Sequence, residues 1–158
     1  MSCAPVARSW TKDDNAGVGE TLPFPDVVPY LYYTDATAAL AFLVDAFGFT
    51  EHSALRDDDG VVWNAQLRVG TGLVMIGPGM AEFGTRAIDA PGLAPSRVHV
   101  IVDDVDAHHA RARAAGATIH TEPSDHGAVR IYLAVDLGNH EWIFAQPLDE
   151  HVDLGPET

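Results

Sequence analysis

Residues 29–49 read PYLYYTDATAALAFLVDAFGF, and residues 99–117 read HVIVDDVDAHHARARAAGA. Each begins with β-branched and aromatic residues, reaches an aspartate, and then runs at helical spacing to a glycine. In the first stretch Leu40, Leu43, Val44 and Phe47 share a helix face. Asp35 is the expected N-cap and Gly48 the expected C′ residue, because a short carboxylate accepts from the first free amides and glycine tolerates the left-handed turn. In the second stretch Asp104 precedes VDAHHARARAA and Gly116 ends it. A strand followed by a capped helix thus occurs twice.

Outward from these stretches the same order continues. The first helix is followed by the strand-like runs FTEHSALR, VVWNAQLRV and LVMIG, separated by DDDG and GTG, which supply turn residues. The second is followed by ATIHTEP, AVRIYLAV and EWIFAQ, with DLGNH between the last two. When Asp104 is laid on Asp35, the later strands superpose with gaps of a residue or so. One such unit cannot bury both faces of its sheet, so two copies must pack together. The expectation is an α+β domain of two βαβββ modules forming a curved mixed sheet around a central cavity. Module 1 spans residues 26–78, a Gly-, Pro- and Ala-rich loop spans 79–96, and module 2 spans 97–147, all within one domain at 25–148. Residues 1–24 mix polar residues, Gly and Pro with little periodicity and read as a flexible arm whose one large anchor is Trp10; residues 149–158 read as a tail.

Composition narrows the function classes. The chain has 158 residues, 47% of them apolar, which suits one sizeable core rather than two domains. Acidic residues outnumber basic ones 23 to 9, a field that repels phosphate backbones and anionic membranes and draws in cations. Nucleic acid and membrane are therefore not expected partners. The single cysteine, Cys3, rules out an intrachain disulfide or a thiolate cluster. No signal-like or membrane-spanning run of about 20 apolar residues occurs, and a cytoplasmic location is expected. Phosphate-loop, dinucleotide and nucleophile-elbow signatures are absent from the sequence.

Four segments in fixed order, residues 29–49, AQLRVGTGLVMIGPG at 65–79, residues 99–117 and VDLGNHEWIFAQP at 135–147, resemble the vicinal oxygen chelate proteins, in particular the glyoxalase and bleomycin-resistance subgroup. The resemblance spans about residues 26–147. It implies paired βαβββ modules around an open cavity, commonly in a homodimer. Many such proteins hold a divalent metal there, and others bind a drug without metal and do no chemistry. It also implies where metal ligands would stand: counted from the helix caps, at Val28 and Arg97 on the first strands and near Met75 and Ile143 on the last strands. None of these is a usual ligand, so no metal is expected at that place. Two residues along the same strands, His99 and Glu141 offer a displaced divalent-metal site or an acid/base pair, with Tyr30 and Gln66 as the partners in module 1.

Strand alternation assigns the remaining faces. Val61, Trp63, Ala65, Leu67 and Val69 are expected toward the core, and Val62, Asn64, Gln66 and Arg68 toward the cavity. Likewise Val129, Ile131, Leu133 and Val135 are expected inside, and Arg130, Tyr132 and Ala134 in the cavity. The expected ligand contacts are Tyr30, Tyr32, Gln66, Arg97, Arg130 and Tyr132, an aromatic and polar lining suited to a drug-sized molecule. His108 and His109 read as solvated surface, and His140 as a structural turn residue. Three functions stay open: a metal-free binding protein for an aromatic or cationic drug-like molecule, an enzyme of lyase, isomerase or metal-dependent type using His99 and Glu141, and a structural domain.

Overall fold

The computed structural model describes residues 25–148, so the expected arm and tail lie outside the described residues. The chain forms β1 (Tyr30–Tyr33), α1 (Ala36–Phe47), β2 (Thr50–Arg56), β3 (Val62–Val69) and β4 (Gly72–Pro78), then β5 (Arg97–Ile101), α2 (Val105–Ala114), β6 (Thr118–His126), β7 (Val129–Val135) and β8 (Glu141–Pro147). The intervening loop carries one short 3₁₀ turn at Ala81–Phe83. Two four-stranded mixed sheets result, ordered β1-β4-β3-β2 and β5-β8-β7-β6, with β1 parallel to β4 and β5 parallel to β8. This is the duplicated βαβββ architecture expected from the sequence.

The helix signals act as read. The side chains of Asp35 and Asp104 accept from Ala38 N and Ala107 N, each at 2.9 Å. Gly48, at φ 71°, turns the chain out of α1, and the Arg111 guanidinium of α2 donates to the carbonyls of Asp45 and Val44 there. A cationic group on the C-terminal carbonyls, one of which also accepts from the Gly48 amide, stabilises α1 and fastens one module to the other.

The modules meet through their helix-bearing faces. Phe47 at the end of α1 packs its ring against Phe49, Phe144 and Trp142, with centroids 5.7, 4.8 and 5.6 Å away. His108 of α2, expected at the surface, joins this cluster. Its Nε2 donates to the Phe47 carbonyl at 2.9 Å, and its Nδ1 lies 2.6 Å from the Tyr132 hydroxyl. The carbonyl can only accept, so the neutral Nε2–H imidazole receives the Tyr132 proton at Nδ1. Burial holds its pKa below the usual imidazole value.

A buried carboxylate completes the join. Asp136, 4% exposed in the β7–β8 turn, accepts at Oδ2 from the Tyr33 hydroxyl (2.7 Å) and from Trp142 Nε1 (2.9 Å). Its Oδ1 accepts from the amides of Gly138 and His140. Tyr33 lies flat enough on the turn that a Cβ at position 138 would sit 2.3 Å from its ring. His140 packs at a tilt against Tyr33, centroids 4.6 Å apart, and donates from Nε2 to the Tyr32 carbonyl, the structural role expected of it.

Two outcomes follow for stability. Asp136→Ala leaves two buried side-chain donors unmatched and lowers the unfolding free energy by roughly 3 kcal/mol or more, whereas Tyr33→Phe lowers it by about 1.5 kcal/mol, measured by urea denaturation. His108 is held neutral in the native state, so its contribution is complete above the unfolded pKa of about 6.5 and declines as pH falls through and below that value. His108→Gln flattens this acid slope when melting temperatures are compared between pH 7.5 and 5.

Candidate functional site

Each sheet turns one face to its helix and leaves the other, concave face open. On module 1, Leu31 and Tyr33 point to the core while Tyr30 and Tyr32 point the other way. Their rings stack, 4.7 Å apart and inclined by 25°. The Tyr30 hydroxyl accepts from Asn64 Nδ2 at 3.0 Å, and Tyr30 lies over Gly77, where a Cβ would come within 2.7 Å of the phenol oxygen. A side chain at position 77 would therefore displace the Tyr30 hydroxyl. Burial, with Tyr30 alongside, raises the pKa of Tyr32, so its phenol is a neutral hydrogen-bonding group at physiological pH.

Strand register places Gln66 in the same row, since Tyr30 pairs with Met75 and Met75 with Gln66. Gln66 is 2% exposed, yet its Nε2 has no hydrogen-bond partner. A buried amide left unmatched costs about 1–3 kcal/mol and requires an explanation other than packing.

On module 2 the concave row is Arg97, Glu141 and Val135, and the next is His99, Ile143 and Leu133. Glu141, whose side chain is only 10% exposed, accepts at Oε2 from Arg97 Nε, while its Oε1 lies 3.9 Å from His120 Nδ1. The expected acid/base pair of His99 with Glu141 is not formed. Register sets Glu141 opposite Arg97 and His99 opposite Ile143, so the carboxylate is committed to the guanidinium. His120 escaped the sequence reading because β6 carries two register shifts, which strict alternation cannot anticipate.

Two expected ligand contacts stand elsewhere. Tyr132 is fully buried on the helix face of β7, where its hydroxyl meets His108, and Ala134 is buried beside it. Arg130, also on that face, pairs with Asp106 of α2 and Asp125 of β6. Ile131, Leu133 and Val135 take the concave side instead. One face of β7 is wholly aliphatic and the other carries Arg130 with Tyr132 and Ala134, so alternation alone pointed the aliphatic face inward; the five-residue turn DLGNH was the usable signal, because it sets Val135 opposite Glu141 and Tyr132 opposite Phe144. On β3 the start is also shifted. Leu55 pairs with Asn64 and Arg56 with Val62, so Trp63 is an extra, bulged residue; Val62 enters the core and Val61 is 46% exposed.

A divalent cation does not fit the donors present. The positions at which the resemblance sets metal ligands carry Val28, Met75, Arg97 and Ile143. No group of three or more His, Cys, Asp or Glu side chains that could hold a metal occurs among the described residues. Glu141, paired in register with Arg97, already bears a guanidinium. A cleft of about 440 Å³ does open elsewhere, at the N-terminal end of α1 between Thr34, Asp59, Trp63 and Pro78, but it lies off both concave faces and contains no unmatched buried polar group.

The Gln66 geometry sets an opposition between stability and recognition. Gln66→Met, of similar volume, removes the orphan amide and raises the unfolding free energy by about 1 kcal/mol in urea denaturation, while weakening any ligand that accepts from Nε2.

Similarity to known proteins agrees with the architecture. The family model for the Glyoxalase/Bleomycin resistance protein/Dioxygenase superfamily matches residues 27–144. The uncharacterized protein Mb0911c of Mycobacterium bovis is 33% identical over 130 residues, covering 80% of this chain and 86% of its own. The crystal structure of TioX from Micromonospora sp. ML1 is 34% identical and superposes with a TM-score of 0.65 over 78% of this chain and 99% of that one. TnmS3, an antibiotic binding protein from Streptomyces sp. CB03234, shares the fold at 20% identity and TM-score 0.58, over 76% and 93% of the two chains. With duplicated modules, matching segments and these relatives, the chain belongs to the glyoxalase/bleomycin resistance protein/dioxygenase superfamily.

Proposed function

We propose that this chain is a metal-free binding protein of the bleomycin-resistance type, which captures a small aromatic or cationic drug-like molecule as a cytoplasmic homodimer. The observation that carries the reading is the stacked Tyr30–Tyr32 pair beside the buried, unmatched Gln66 amide. Aromatic faces supply contact area at low entropic cost, and a dry, unpaired donor fixes orientation only when a ligand acceptor reaches it. An antibiotic binding protein among the structural relatives supports the same class. The acidic excess favours approach of a cationic ligand over an anionic one.

The homodimer is supported by what each concave face lacks. Within the chain the modules join through α1, α2 and the Asp136 turn, and no strand of one sheet packs extensively on a strand of the other. The concave faces consequently expose Tyr30 (40%), Leu55 (48%) and Ile101 (60%). In the proposed dimer, module 2 of one protomer closes over module 1 of its partner, so that the tyrosine pair faces the Arg97–Glu141 row of the other chain.

The test is a thermal-shift series with proflavine, a planar cation, with and without EDTA. Saturation at about 100 times Kd stabilises a single-site binder by about 2.7 kcal/mol. The melting temperature rises with proflavine, is indifferent to EDTA, and is restored to the ligand-free value in Tyr30→Ala; sedimentation equilibrium gives two chains per particle. A flat response to proflavine and to a wider set of planar aromatics, or a strictly monomeric chain, refutes this assignment.

A further inference from the structure

We propose that Tyr30 occupies its own site in the ligand-free chain: its phenol lies in the seat that a planar ligand takes, and Asn64 is the positioning residue that holds it there. The inference deepens the reading above and rests on it.

The geometry lays the ring down along the sheet. Strand side chains ordinarily stand off the sheet, and neighbouring strands run about 4.8 Å apart. Tyr30 departs from this. It leaves the edge strand β1, crosses β4 and ends on β3, where its hydroxyl accepts from Asn64 Nδ2 at 3.0 Å. Beneath it is the buried Gly77, where a Cβ would stand 2.7 Å from the phenol oxygen and 3.3 Å from a ring carbon. The recumbent ring fills the room that a side chain at position 77 would take.

Module 1 thus covers its own open face. Gln66 and Leu73 are only 2% and 3% exposed, although alternation with the core residues Leu67, Val74 and Ile76 turns them to that face. A flat ligand reaches this floor only by displacing a side chain. Tyr30 is the one placed to leave, being 40% exposed and held at its tip by one hydrogen bond between neutral groups, whereas Tyr32 and Met75 are set deeper. Turned up about its side-chain bonds, the ring uncovers Gly77 and closes on the outer face of the ligand. Loss of the whole side chain therefore abolishes binding, while loss of the latch alone speeds it.

Such a latch acts as a pre-equilibrium, since only chains with the ring up are competent and the apparent affinity scales with their fraction. A hydrogen bond between neutral groups changes that fraction by about three- to ten-fold.

Stopped-flow binding of proflavine to the full chain, followed by proflavine fluorescence, reads the latch. Asn64→Ala and Tyr30→Phe each remove the hydrogen bond, keep the stacking ring and leave the net charge unchanged, so electrostatic steering of the probe is the same. Each raises the association rate constant about three- to ten-fold with the dissociation rate constant unchanged. The double variant is no faster than the faster single one, because both remove one contact. Should Asn64→Ala disturb folding, Tyr30→Phe carries the test alone. Unchanged association in the variants while the wild type binds proflavine overturns this inference and leaves the binding function standing, as does a change confined to dissociation or to melting temperature. If neither proflavine nor a wider set of planar aromatics binds the wild type, the binding function fails and this inference with it.

Discussion

One buried carboxylate holds the two halves of this molecule in register. Asp136 is surrounded by the Tyr33 hydroxyl from module 1, the Trp142 indole from module 2 and two amides of its own turn. A charged acceptor out of water is stable only when its lone pairs are met by donors, and here the donors come from segments more than a hundred residues apart. The arrangement has little tolerance for slippage between modules. It also reaches the first strand of module 1, because the same turn carries His140, which donates to the carbonyl of Tyr32. The backbone from which Tyr30 and Tyr32 project is thereby pinned by the other module.

The contrast between the two faces of each sheet follows from how polar groups are matched. On the helix side they are met: Tyr132 with His108, Arg130 with Asp106 and Asp125, Arg111 with the end of α1. On the open side of module 1, among the described residues, Gln66 Nε2 is buried without a partner. Folded chains do not retain a buried unmatched donor for stability, since it lowers it.

Much of this was legible before any coordinates. The caps Asp35 and Asp104 are local devices, decided by the chemistry of a short carboxylate beside free amides, and both form the hydrogen bond expected of them. The repeated order of elements follows from periodicity, which depends only on near neighbours, and it led to the correct architecture. The shared face of Tyr30, Tyr32 and Arg97 followed because β1 and β5 are regular, and that of Gln66 because it lies beyond the bulge of β3. Arg130, Tyr132 and Val62 were misplaced for physical reasons. On β7 the wholly aliphatic face is the one turned from the helix, while the face with Arg130 packs on α2, and the start of β3 is bulged at Trp63, so a period of two misled there.

The chain's own letters were enough to specify how many modules there are, where each helix starts and stops, and which strands follow, because these depend on forces acting over a few residues. Which groups end up paired depended on contacts far apart in the chain. Only the folded arrangement takes His108 from an apparent surface helix into the aromatic core, commits Glu141 to Arg97 instead of His99, and strands the Gln66 amide without a partner. Long-range register and burial settle these pairings, and neither is encoded in spacing along a single strand.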